Sequence, residues 1–263
     1  MSSQIKTLCL FIVALAILAC YAFMPEDLSF NEEYVKKLDF SALYEADSTA
    51  VAEADSTLTA EIEKKEEKKE LDTTSQRILF FGDSMLEGLT LRASDYAFAN
   101  GHELWNALWY SSNTKLLAET QKLEYNIREV NPTFIICCLG SNEQFFRDVP
   151  QRKEYIKAIV NKMGNIPFIW ICPPAWKQDA GINEAIRTIV GDERFFDSRK
   201  LTFQRGKDHV HPTFSSAAVW FDHVAEWLQS DSTAHPIIMK VPTEKHKREH
   251  HKIYQPTFPG EKL

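Results

Sequence analysis

Residues 78–88 read ILFFGDSMLEG, an apolar run that stops at a glycine, an acid and a serine and passes at once into a helix-like pattern. A turn accounts for Gly82. It does not account for Ser84 at the carboxyl end of a strand, the position where open α/β sheets place their chemistry. Outward from this stretch, strand-like and helix-like runs alternate from Arg77 onward. Strands are expected at 77–81, 102–110, 133–140, 167–172 and 194–198, and helices at 85–99, 114–130, 151–163, 181–190 and 213–229. The third strand, TFIICCLG, is apolar on both faces, as a parallel strand buried between helix layers must be. The final helix follows His211-Pro212, and proline suits a helix's first turn. The alternation predicts an α/β fold: a three-layer α/β/α sandwich on a doubly wound parallel sheet of about five strands.

The flanks have a different texture. Residues 7–24, TLCLFIVALAILACYAFM, carry no charge and are about the minimum length that spans a bilayer. Lys6 precedes the run, and Glu26, Asp27, Glu32 and Glu33 follow it, which favours a cytoplasmic N-terminus. Three fates stay open: a retained signal anchor, a cleaved secretory signal, or lipidation at Cys20, whose ILAC context fits that pattern poorly at Leu18. The anchor is the preferred reading, and each fate places the bulk of the protein outside the cytoplasm, in the periplasm or at the cell surface. Residues 26–75 hold fifteen acidic residues and six lysines, a net of −9 against −7 for the whole chain, so the remainder is near neutral. This segment reads as an acidic stalk, with residues 1–25 before it, a domain over 76–230 and a polar tail over 231–263. No basic stripe points to nucleic acid. Cys137, Cys138 and Cys172 lie in apolar runs and read as small core residues. His246, His250 and His251 read as part of a solvated tail.

The strand ends converge on one edge by topology alone. Strand one ends at Gly82-Asp83-Ser84, strand two at Tyr110-Ser111-Ser112-Asn113, and strand three at Gly140-Ser141-Asn142-Glu143, while the loop before the last helix brings Asp208, His209, Val210 and His211. A serine hydroxyl needs a base to take its proton. His211 is the candidate base, and Asp208, three residues earlier, can accept the other imidazole N–H across a turn. His209, adjacent to Asp208 in an extended loop, reads as a surface residue. The Asn142 amide and the backbone N–H groups of Ser84 and Ser112 are candidate donors to an oxyanion. Trp109, Tyr110 and Trp176, with Gly140 and Glu143, are the further candidates for substrate contact; Phe145 and Phe146 belong to the same aromatic cluster.

Jointly these blocks resemble the SGNH/GDSL hydrolase family. FFGDSM matches the block that carries the nucleophile, LGSNE the block that supplies Asn142, and DHVHP the D-x-x-H-P block with Asp208 and His211. The resemblance covers about residues 77–230. It implies a flavodoxin-like fold and ester hydrolysis through an acyl-enzyme, with no metal and no cofactor. Two positions depart from the pattern: Ser112 stands where the family usually has glycine, and Glu143 where it often has aspartate. Three functions follow as expectations. The first is an esterase acting on acylated glycans or other envelope esters. The second is a membrane-tethered O-acyltransferase working with a multi-pass membrane acyltransferase. The third is a carbohydrate-binding module without catalysis.

Overall fold

The computed structural model describes residues 69–256, together with the backbone of a short antiparallel pair, Ser29–Phe30 with Glu33–Tyr34. The expected membrane segment and most of the expected stalk lie outside the described residues. Among the described residues no helix is long and apolar enough to cross a membrane.

The elements of the domain are β1 (Arg77–Gly82), α1 (Leu86–Ala99), β2 (Glu103–Trp109), α2 (Thr114–Glu119), α3 (Lys122–Val130), β3 (Phe134–Cys138), α4 (Val149–Met163), β4 (Phe168–Ile171), α5 (Ile182–Val190), β5 (Phe195–Phe196), α6 (Phe214–Leu228) and β6 (His250–Tyr254). They form one parallel sheet of six strands in the order β5-β4-β3-β1-β2-β6. Side chains along β1 alternate between its faces. Ile78 and Phe80 pack with Leu86 and Leu89 of α1 and with Trp220 and Phe221 of α6. Leu79 and Phe81 pack with Leu123 of α3, Ile156 of α4 and Ile186 of α5. Two helix layers therefore sandwich the sheet, and each large apolar side chain removed from water contributes about 1.5–3 kcal/mol.

The first five strands follow the order 2-1-3-4-5, so the direction of winding reverses between β1 and β3. Their carboxyl ends flank the crevice at that switch point. Gly82 is fixed by the register: a Cβ there would stand 1.9 Å from the Cys138 carbonyl oxygen. Its absence lets β1 lie close to β3 where the chain turns into Ser84. Cys137, Cys138 and Cys172 are buried free thiols, in line with the reading as core residues.

Three elements differ from expectation. The helix expected over 114–130 breaks at Thr120, whose backbone is extended (φ −107°, ψ 163°). The break is stabilised from another helix: the Lys162 ammonium of α4 donates to the Leu117 and Thr120 carbonyls at 3.0 and 2.6 Å. The fifth strand shrinks to two residues between short 3₁₀ turns at Asp192–Arg194 and Ser198–Lys200.

The segment after Ser230, expected as a polar tail, folds back over the domain. Ile237 and Met239 enter the core beside α1, and residues 250–254 form the sixth strand, parallel to β2. Its polar sequence hides the strand, because an edge strand buries little. The histidine rings do the packing instead: His250 stacks on Trp105 and His246 on Phe98, each with centroids 3.9 Å apart.

Candidate active site

Ser84 sits between β1 and α1, half-buried. Its hydroxyl lies 2.8 Å from Nε2 of His211, 127 residues later in the chain. Nδ1 of the same ring lies 2.6 Å from Asp208 Oδ2. The other Asp208 oxygen accepts the backbone N–H groups of Val210 and His211, at 2.9 and 3.1 Å. The carboxylate therefore both closes its own loop and fixes the ring. The hydrogen bond from His211, followed by those from Val210 and His211 backbone N–H, holds the Asp208 carboxyl well below the usual carboxylate range. An Nδ1–H donated to that carboxylate leaves Nε2 as an acceptor, the tautomer that takes a proton from Ser84. The His209 ring makes no hydrogen bond to Ser84 or Asp208; its backbone is left-handed (φ 58°), and the residue is exposed.

Asp83 is the residue beneath this arrangement that sequence reasoning passed over. It is fully buried. Its Oδ1 accepts the Met85 N–H at 3.0 Å. Its Oδ2 accepts the N–H groups of Gly140 and Ser141 and the Ser141 hydroxyl, at 3.2, 3.0 and 2.8 Å. One side chain thus ties the Ser84 turn to the loop that carries Asn142. Burial raises its pKa, opposed by these hydrogen bonds. Its position directly before the serine was the available signal.

The expected oxyanion donors separate into two groups. The Ser84 N–H makes no hydrogen bond among the described residues and lies at the start of the helical turn that leads into α1. The Asn142 amide donates to the Ser112 carbonyl at 2.9 Å, which fixes its plane and leaves its second N–H free. The Ser112 N–H, expected as a third donor, is held instead by the Trp109 carbonyl at 3.2 Å. The cause is local: Ser111 adopts a left-handed backbone (φ 58°), which closes a tight turn over residues 109–112. Ser112 serves by positioning Asn142 through its carbonyl.

Several expected substrate contacts are structural. Glu143 is buried, accepts the Thr114 N–H and hydroxyl at 2.8 and 2.6 Å, and pairs with Arg152 at 2.9 Å. Burial raises its pKa, and Thr114 and Arg152 oppose the shift. It braces the Asn142 loop against α2 and α4. Trp109 is buried in the core, its indole N–H on the Gln255 carbonyl at 3.1 Å. Gly140 is also buried; its backbone is left-handed (φ 123°), and a Cβ would stand 3.2 Å from Ile186.

Two candidates stay at the surface of the site. Tyr110 is half-buried; burial first, and then the nearby Glu87 carboxylate, raises its pKa. Trp176 is half-buried and donates its indole N–H to the Ser141 carbonyl at 3.1 Å. Arg205 joins the two sides by donating to the Val210 and Ala175 carbonyls, which locks the histidine loop to the loop before Trp176.

A cleft of about 370 Å³ opens at Ser84, lined by Met85, Gly88, His211, Pro212 and Phe214 among others. Its floor is the close approach of α1 and α6, where a Cβ on Gly88 would stand 2.6 Å from the Ala217 methyl. The His211 and Asp208 side chains are 40% and 50% exposed, so solvent reaches the site. A larger groove of about 750 Å³ lies beside α5 and α6 and contains none of these three side chains. Among the described residues no cluster of His, Cys, Asp and Glu is arranged to hold a metal ion.

No protein-family model matches the sequence, and no curated protein matches it. Among solved structures the chain is similar to a gut microbial diltiazem-metabolizing enzyme, at 15% sequence identity and a TM-score of 0.44, over 60% of this chain and 48% of that one. The match therefore spans about half the length of that enzyme.

Proposed function

We propose that the protein is a serine hydrolase of SGNH/GDSL type that cleaves carboxylic esters through an acyl-enzyme. The observation that carries this reading is the continuous hydrogen-bonded line Ser84–His211–Asp208, at 2.8 and 2.6 Å, drawn from two loops 127 residues apart. In the reaction, His211 Nε2 takes the Ser84 proton as Oγ attacks the ester carbonyl. The negative oxygen meets the Ser84 N–H and the free N–H of Asn142. His211 then returns its proton to the departing alcohol, leaving acyl-Ser84. Water, activated by the same imidazole, attacks the acyl group and releases the acid and free Ser84.

The exposure of the triad suits a bulky ester such as an acylated glycan of the cell envelope. It also admits water to the acyl-enzyme, which favours hydrolysis over transfer to a second sugar. An intact triad makes the non-catalytic module the weakest reading. The anchor, stalk and extracytoplasmic placement read from the N-terminal segment complete this proposal. The full chain should hydrolyse a short-chain aryl ester, and Ser84→Ala should reduce turnover by a factor on the order of 10⁴ or more. Undiminished turnover in that variant would remove the reading.

A further inference from the structure

Beside the Asn142 loop, on the β3–β4 side of Ser84, stands an aromatic corner that the reaction chemistry leaves unused. Phe145 is 48% exposed. It meets Trp176 edge-on, with centroids 6.3 Å apart and planes at 80°, and meets Phe146 at 81°. Neither wall is loose. Trp176 is held by its indole N–H on the Ser141 carbonyl and by its backbone N–H on Gln144 Oε1, at 3.1 Å each. Phe146 lies under the Arg152 guanidinium at 4.7 Å.

The exposed Lys177 ammonium rests on this corner, 4.7 Å from the Trp176 ring centre and 5.4 Å from that of Phe145. The lysines that form ion pairs among the described residues are Lys69, Lys157 and Lys162, so Lys177 has no carboxylate partner there. The exposed Phe145, edge-on to a half-buried Trp176 that two hydrogen bonds hold in place, leaves apolar surface in water and suits a ring with axial C–H groups. An unpaired cation at its rim adds a demand for an anion.

The site thus has two sides. The cleft between α1 and α6 lies on one, and the aromatic corner on the other, joined to the Asn142 loop through Ser141. We propose that Phe145, Trp176 and Lys177 form a subsite for an anionic sugar, a pyranose bearing a carboxylate. The reading rests on the esterase assignment for its biological sense, but its binding test does not. On binding, the Lys177 ammonium leaves the Trp176 ring to meet the carboxylate, and the pyranose takes its place on that ring with its edge against Phe145. A neutral sugar makes the stacking contact alone.

The test measures binding of methyl glucuronide and methyl glucoside to the full chain carrying Ser84→Ala, by ligand-observed NMR titration. The glucuronide should bind about fivefold more tightly, the upper end for an ion pair in contact with solvent. Adding Lys177→Gln should equalise the two ligands, and adding Phe145→Ala should weaken both while keeping their ratio. Lys177→Arg should retain the preference, which separates charge from packing. Equal binding of the two sugars, or a preference untouched by Lys177→Gln, would overturn the proposal. Inactivity of the wild type on an aryl ester would fall on the esterase assignment alone, because the binding comparison needs no turnover.

Discussion

Asp83 is the most informative position to perturb, because one buried side chain serves four donors from two loops. In Asp83→Asn the amide must choose an orientation. With its NH₂ in the place of Oδ2 it confronts Gly140 N–H, Ser141 N–H and the Ser141 hydroxyl. With its NH₂ in the place of Oδ1 it confronts Met85 N–H alone, so the second orientation should prevail. One buried donor then loses its acceptor, at a cost of about 1–3 kcal/mol. Asp83→Ala strands all four donors and should cost about 3–5 kcal/mol.

The pH dependence has a definite sign. The folded-state pKa of Asp83 is raised by burial. Its titration therefore contributes stability that is full below the unfolded value of about 3.9 and is lost as pH rises through the folded value. Asp83→Asn, which has no carboxyl to titrate, should lack this pH dependence. Activity should fall too, since the Asn142 loop is no longer tied to the Ser84 turn; a displaced oxyanion donor costs about 10²–10³ in rate. Urea unfolding at several pH values, with kcat/KM on an aryl ester, reads all of this. A folded Asp83→Ala protein with wild-type activity would refute the reasoning.

Three further substitutions probe the frame and the site. Asp208→Asn keeps an oxygen for the Val210 and His211 N–H groups but turns an NH₂ toward Nδ1, which imposes the wrong tautomer; kcat/KM should drop by about 10³–10⁴ with little change in thermal midpoint. Gly82→Ala drives a methyl into the Cys138 carbonyl at the β1–β3 seam, and chemical denaturation should show a loss of more than about 3 kcal/mol or no folded protein. Arg152→Ala leaves Glu143 buried without its cation; denaturation should show a cost of about 3–5 kcal/mol, with a smaller loss of activity as the Asn142 loop loosens.

The sheet and the meeting of Ser84, Asp208 and His211 were legible in the sequence for the same reason. Apolar runs such as FIICC, and the glycine, acid and serine that end ILFF, are local signals of buried parallel strands and of their carboxyl ends. Asp208 and His211 are separated by a single turn, so their pairing was local as well. What stayed hidden depends on partners distant in sequence. The break at Thr120 is held by Lys162, the edge strand at His250–Tyr254 by Trp105 and β2, and the burial of Glu143 by Arg152. The left-handed Ser111, which turns the Ser112 N–H onto the Trp109 carbonyl, has no residue-type signature, because serine rarely adopts that backbone. Trp109 looked like a site residue because it precedes a catalytic-edge loop, yet its side chain faces the core.

The most direct measurement of the central claim is covalent: treat the full chain with a fluorophosphonate and locate the adduct by peptide mass spectrometry. A hydroxyl activated by His211 predicts a single adduct on Ser84, nearly abolished in His211→Ala and retained in His209→Ala. A folded protein that takes no label, or takes it on another serine, would contradict the account.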